Sequence, residues 1–218
     1  MSEHTSESFQ SVFPELAQKV RTVENILPQK LTCKQAAMPQ TDMLTDDGIS
    51  LLSVGRFCDA KNFDNVPDIC HRLVEDGLNV KWYLIGYGGD ELLIRQKIAE
   101  AGMQERVIIL GKKDNPYPYM RACNLYVQPS RYEGKAVTVR EAQLLGKPVV
   151  ITNYATSGSQ LEDGVDGVII PMDNAGCAAG IAALLRAPAR MQQLSENCQK
   201  RDYTNSAEVE KIYALMED

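Results

Sequence analysis

From Ile49 onward the chain alternates short apolar runs with longer amphipathic ones. The apolar runs fall at 49–54, 80–85, 106–110, 125–128, 148–151 and 167–170, and Val, Ile, Leu and Tyr dominate them, as in buried strands. Between and after them, the segments 62–76, 90–101, 115–122, 137–146, 173–186, 188–200 and 206–217 carry apolar residues at helical spacing. Strands without a polar face need helices over both sides, so the alternation predicts an α/β fold, a Rossmann-like doubly wound parallel sheet. Residues 5–45 have a different character. Phe9, Val12, Phe13 and Leu16 stand at helical spacing, and the polar stretch from Pro39 to Gly48 reads as a linker and turn. The expected division is therefore 1–48 as a tail and linker, and 49–218 as one domain with C-terminal helices.

Composition narrows the partners. With 218 residues, 44% of them hydrophobic and 24% charged, the chain is that of an ordinary globular protein. Its formal net charge of -6 argues against a general binder of nucleic acid or anionic membrane, so any phosphate recognition must be local. Six cysteines, at 33, 58, 70, 123, 177 and 198, form no CxxC pair, which favours reduced thiols in a cytoplasmic setting over zinc or disulfides. No apolar run reaches the roughly 18 residues of a membrane span, and the first residues lack a signal-peptide plan.

In a doubly wound sheet, ligands sit beyond the carboxyl ends of the strands, so the strand-to-helix turns carry the candidate chemistry. The first turn, Val54 to Asn62, offers Gly55 for close backbone approach, Arg56 as a planar donor fork and Lys61 as a mobile charge. Both cations also read as solvated surface residues. The second, Ile85-Gly86-Tyr87-Gly88-Gly89-Asp90-Glu91, falls short of a full GxGxxG because Glu91 takes the last glycine's place. Its glycines serve either tight turning or the approach of a sugar or phosphate. The third, Pro129 to Glu141, sets Glu133 and Glu141 on either side of Gly134.

If a helix starts near Ala136 or Val137, the N–H groups of Lys135, Ala136, Val137 and Thr138 point out of its positive end, where a diphosphate binds without a metal. The Lys135 and Thr138 side chains would add donors. Glu141, a turn further on, could accept from both hydroxyls of a ribose, and Glu133 would lie on the sugar side. Each glutamate alone reads as a solvated helix-start carboxylate; the pair around a glycine points to a nucleotide-sugar site. The segment from Asn153 to Gln160 is a polar loop, either ordinary or closing over the donor. His4 and His71 have no evident catalytic partner, Trp82 and Tyr83 read as packing residues, and no Asp-x-Asp pair ends a strand, so neither a metal nor a cofactor is expected.

These residues resemble the retaining glycosyltransferases of family 4, whose GT-B architecture sets two Rossmann-like domains face to face. The resemblance covers most of residues 49–186. It rests on Val54-Gly-Arg56 with Lys61, Leu84-Ile-Gly86-x-Gly88, Gln128 to Gly134, the Glu133 to Glu141 spacing, Leu145-Gly-Lys-Pro-Val-Val150 and Leu161-Glu-Asp-Gly-Val-Asp-Gly167. It implies that Arg56 and Lys61 hold the donor diphosphate, that Glu133 meets the donor sugar near the reacting centre, that Glu141 holds the ribose, and that backbone around Gly111 to Lys113 faces the base. Many members carry an aromatic residue and a glycine where this chain has Lys135-Ala136, which leaves sugar preference open. The stretch from Tyr154 to Ser157 looks like that of members building capsule or other surface polysaccharides.

Family members also carry an N-terminal acceptor domain, to which residues 1–30 look like only a last stretch. The expectation is a donor-binding half, inactive alone, that takes a nucleoside-diphosphate sugar. Its glycan or lipid-linked acceptor would come through the other domain, with peripheral membrane association open to the whole enzyme. The competing readings are a nucleotide-sugar epimerase of related fold and a non-catalytic nucleotide-sugar binding module.

Overall fold

The computed structural model describes residues 3–43 and 48–217; the centre of the expected turn before Gly48 lies outside the described residues. Six strands, β1 (Ile49–Val54), β2 (Val80–Ile85), β3 (Val107–Gly111), β4 (Leu125–Gln128), β5 (Val149–Thr152) and β6 (Val168–Ile170), form one sheet in the order β3-β2-β1-β4-β5-β6. Every pairing is parallel, with Ile49 opposite Val80, Leu51 opposite Leu125 and Tyr126 opposite Val149. The order reverses direction between β1 and β4, which opens a crevice at their carboxyl ends. This is the doubly wound Rossmann-like fold that the alternation predicts.

The helices are α1 (Glu3–Val12), α2 (Gln29–Ala36), α3 (Val66–Glu75), α4 (Glu91–Glu100), α5 (Tyr117–Ala122), α6 (Val137–Leu144), α7 (Ser157–Gln160), α8 (Asn174–Leu185), α9 (Pro188–Lys200) and α10 (Glu208–Glu217). Because side chains alternate across a strand, neighbours on β1 enter different cores. Leu51 joins Trp82, Leu84 and Val127 beneath Ile69, Leu73, Ile94 and Ile181 of α3, α4 and α8. Leu52 joins Tyr83, Tyr126 and Ile151 against Met120 of α5 and Val139 and Ala142 of α6. Trp82 is wholly buried, and its indole N–H donates to Ser53 Oγ at 2.9 Å, so it packs as expected. All six cysteines are free. Among the described residues no helix is long and apolar enough to cross a membrane.

Three stretches depart from the sequence pattern. The helix expected from 62 starts at Val66, because Asn62 adopts a left-handed conformation (φ 58°) between two short 3-10 turns and Pro67 sits in the first helical turn. The loop at 153–160 ends in the one-turn α7. The N-terminal apolar residues do not build a core: a 3-10 segment from Pro14 to Lys19 follows α1, and Phe9, Val12, Phe13 and Leu16 are all exposed. Further along, α2 packs against the domain. It lies on α5 with Thr32 and Ala36 buried, and Asn115 Nδ2 donates to the Gln35 carbonyl at 3.0 Å.

Candidate functional site

At the crevice, the turn after β1 and the segment between β4 and α6 border a cavity of about 410 Å³, lined by Gly55, Arg56, Lys61 and Glu133 and by Lys135 to Thr138 at the start of α6. An open groove of about 790 Å³ lies elsewhere, between Leu27 to Leu31 and Lys200 to Ser206. It is larger, but no strand end opens into it, so the crevice is the better candidate.

Glu133 is the best-held group there, its side chain 9% exposed. Its Oε1 accepts from Lys61 Nζ at 2.5 Å, Ser130 Oγ at 2.7 Å and Gln128 Nε2 at 3.4 Å. Gln128 is in turn oriented by the Tyr126 hydroxyl, which donates to its Oε1 at 3.0 Å. The segment around Glu133 is strapped down as well. Thr152 Oγ1 donates to the Ser130 carbonyl at 2.5 Å, Thr156 Oγ1 to the Glu133 carbonyl at 2.6 Å, and the Arg131 fork grips Asp64 at 2.9 and 2.7 Å. Arg56 stands exposed, with no polar partner among the described residues.

The helix starts at Val137, as expected, with Ala136 extended at its cap. The set of N–H groups needs one correction. The Ala136 N–H is buried and donates to Gln160 Oε1 at 2.8 Å, while Gln160 Nε2 donates back to the Ala136 carbonyl at 3.2 Å. Val137 and Thr138, in the first helical turn, have no intrahelical acceptor for their N–H groups, which leaves these two facing the cavity at the positive end. Lys135 lines the cavity, yet its ammonium pairs with Glu24 of the N-terminal segment rather than standing free. Glu141 is not free either: its Oε1 accepts from the Tyr117 hydroxyl at 2.8 Å. Burial holds the Glu141 carboxyl above the usual carboxylate range, partly offset by that bond. Burial and the same carboxylate push the Tyr117 phenol up to about 12.

The glycine turn after β2 takes the packing alternative. A Cβ on Gly86 would lie 1.8 Å from the Gly55 carbonyl oxygen, and one on Gly88 would lie 2.1 Å from that of Phe57. Gly86 thus lets two turns touch and does not line the cavity, whereas Gly55 does. Gly134 is exposed between Glu133 and the helix start. At the end of β3, Lys112 lies 5.7 Å from the centre of the Tyr87 ring, and Lys113 pairs with Asp42, whose carboxyl is lowered by that contact and by the Tyr119 hydroxyl.

The sequence motifs include Gln128, Ser130 and Gln160 without giving them a role, and Thr152, Tyr117 and Glu24 do not figure in them. For Gln128 and Thr152 a signal exists: each is a polar residue closing an otherwise apolar strand, buried at the ligand edge.

A family model described as glycosyl transferases group 1 matches residues 38–201. Among curated proteins, the chain is 32% identical over 92 residues to the lipopolysaccharide core biosynthesis mannosyltransferase LpsB of Rhizobium meliloti, covering 41% of this chain and 26% of that protein. It is 32% identical over 127 residues to the N-acetylgalactosamine-N,N'-diacetylbacillosaminyl-diphospho-undecaprenol 4-alpha-N-acetylgalactosaminyltransferase of Campylobacter jejuni, covering 57% of this chain and 33% of that protein. Among solved structures, HepE of Anabaena, in complex with UDP and glucose, superposes with a TM-score of 0.83 at 19% identity over 97% of this chain and 61% of that one. TarM of S. aureus, with UDP among its ligands, gives 0.81 at 18% identity over 100% of this chain and 43% of that one. The chain thus spans a quarter to a third of the length of these two curated relatives.

Proposed function

Because the chain belongs to the group 1 glycosyl transferases, we propose that it is the donor-binding domain of a retaining, metal-independent family 4 glycosyltransferase of GT-B architecture. It would take a sugar from a nucleoside diphosphate and, with a second domain, pass it to a glycan or lipid-linked acceptor in surface polysaccharide synthesis at the cytoplasmic face of a membrane. The observation that carries the reading is the buried, fixed Glu133 beside a cationic cavity at a helix start. Arg56, Lys61 and the Val137 and Thr138 N–H groups are suited to the charge that develops on a leaving diphosphate. Glu133 would orient the sugar and face positive charge growing at its anomeric carbon. Glu141, fixed by Tyr117, would take the ribose, and the backbone from Gly111 to Lys113 would border the base.

A thermal-shift and calorimetric panel of uridine and guanosine diphosphate sugars tests this. Binding of at least one, with neither transfer nor an isomerised sugar from the chain alone, is the expected result. Turnover by this chain alone would refute the half-enzyme reading, and an isomerised nucleotide sugar would replace transfer with epimerisation.

A further inference from the structure

Tyr154 follows β5, its side chain is 2% exposed, and its phenol oxygen is buried without a hydrogen-bond partner. A buried hydroxyl left unpaired is expensive, so a group of this kind calls for an explanation. Its surroundings supply one. Tyr154 lies midway between Thr152 and Thr156, whose hydroxyls bond the carbonyls of Ser130 and Glu133, so its loop is stitched to the segment that carries the Glu133 carboxylate. Burial, and after it the negative charge of Glu133, keep the phenol protonated and able to donate. On that carboxylate, Oε1 takes all three donors, Lys61, Ser130 and Gln128, and Oε2 takes none of the described ones.

The ligand-free arrangement therefore has a weakness. Lys61, the one cation paired with Glu133 among the described residues, is also a candidate for the donor diphosphate, and an ammonium drawn to phosphate leaves the carboxylate less firmly held. We propose that Tyr154 is a positioning residue for Glu133: its hydroxyl, unpaired in the ligand-free arrangement, donates to the second carboxylate oxygen through one buried water when a bound diphosphate recruits Lys61, and so keeps that carboxylate in place. This rests on the donor-binding reading above. It adds a residue that acts on the sugar end of the donor through Glu133 without touching the nucleotide.

The test compares UDP with UDP-glucose, and GDP with GDP-mannose, by calorimetry on the chain and its Tyr154→Phe variant. Expected are an unchanged or higher Tm without ligand, unchanged affinity for the free nucleotide, and roughly tenfold weaker binding of the sugar nucleotide that the wild type prefers. In a Glu133→Gln background, Tyr154→Phe should cause no further loss, because its effect passes through the carboxylate. Equal losses for nucleotide and sugar nucleotide, no loss at all, a lower ligand-free Tm, or full additivity with Glu133→Gln would each overturn the proposal. Wild type that binds none of the four ligands would overturn the donor-site reading together with it; a wild type that binds beside an unaltered variant overturns only the role of Tyr154.

Discussion

Arg56 and Lys61 sit on the same turn, yet their side chains meet different surroundings. Arg56 is exposed and unpartnered, whereas Lys61 is committed to a mostly buried carboxylate. Arg56→Ala should therefore leave Tm nearly unchanged while weakening nucleotide-diphosphate binding about tenfold, read by calorimetry. Lys61→Met should show both defects, losing roughly 1–3 kcal/mol of stability because Glu133 is left without its cation. Glu141 carries the opposite balance. Its carboxyl is raised in the fold, so its stabilising contribution is complete below the reference value of 4.5 and is lost as pH rises through the raised folded value. Glu141→Gln is expected to raise Tm at pH 7 and weaken UDP more than 2′-deoxy-UDP; equal weakening of the two would remove the ribose assignment. The placement of Glu133 and the helix start at the cavity was legible because they occupy one continuous segment. Tyr117, Gln160 and Glu24 were not, because each reaches its partner from a distant part of the chain, and no local pattern records such a pairing.

Strands and helices were largely legible because each buried strand had to be apolar throughout and each helix had to turn one face inward. Where that pressure was absent, the pattern misled. The Ser-Gly-Ser-Gln turn of α7 has no apolar periodicity to announce it, although its Gln160 closes the cap of α6. The helical spacing of Phe9, Val12, Phe13 and Leu16 is met by α1 only as far as Val12, and all four side chains are exposed. Asn62 delays α3 through a backbone conformation that is not visible as hydrophobicity; its Nδ2 donates to the Pro129 carbonyl at 2.9 Å and joins the first turn to the β4 end. The contact between the β1 and β2 turns gives the sharpest prediction at this scale. Gly86→Ala should cost roughly 3 kcal/mol or more, a fall in Tm of about 6–12 °C in thermal unfolding, because backbone on both sides blocks relaxation. A variant melting within a degree of wild type would mean the two turns are freer than the structure shows.

For the whole molecule, the doubly wound sheet and the position of its ligand edge follow from the order of elements, because parallel strands joined by helices leave few alternative topologies. The relation of the N-terminal residues to the domain was not legible. Leu27 N–H donates to the Thr204 carbonyl at 2.8 Å, Glu24 N–H to Glu208 Oε2 at 3.0 Å, and Asn205 Nδ2 to Glu24 Oε2 at 3.0 Å. Glu24 also neutralises Lys135 at the cavity wall and stands 3.8 Å from Arg140. Glu24→Ala should accordingly speed limited proteolysis of both segments, 20–28 and 203–208, while protection of the sheet in hydrogen exchange stays at the wild-type level. Loosening on one side alone would show that the two are held independently.

The lacing of these segments has a mechanical consequence. It acts as a clasp: tension applied between residues 24 and 208 would load Glu24, Leu27, Thr204 and Asn205 before any strand, so the cavity could keep its shape while force passes along one flank.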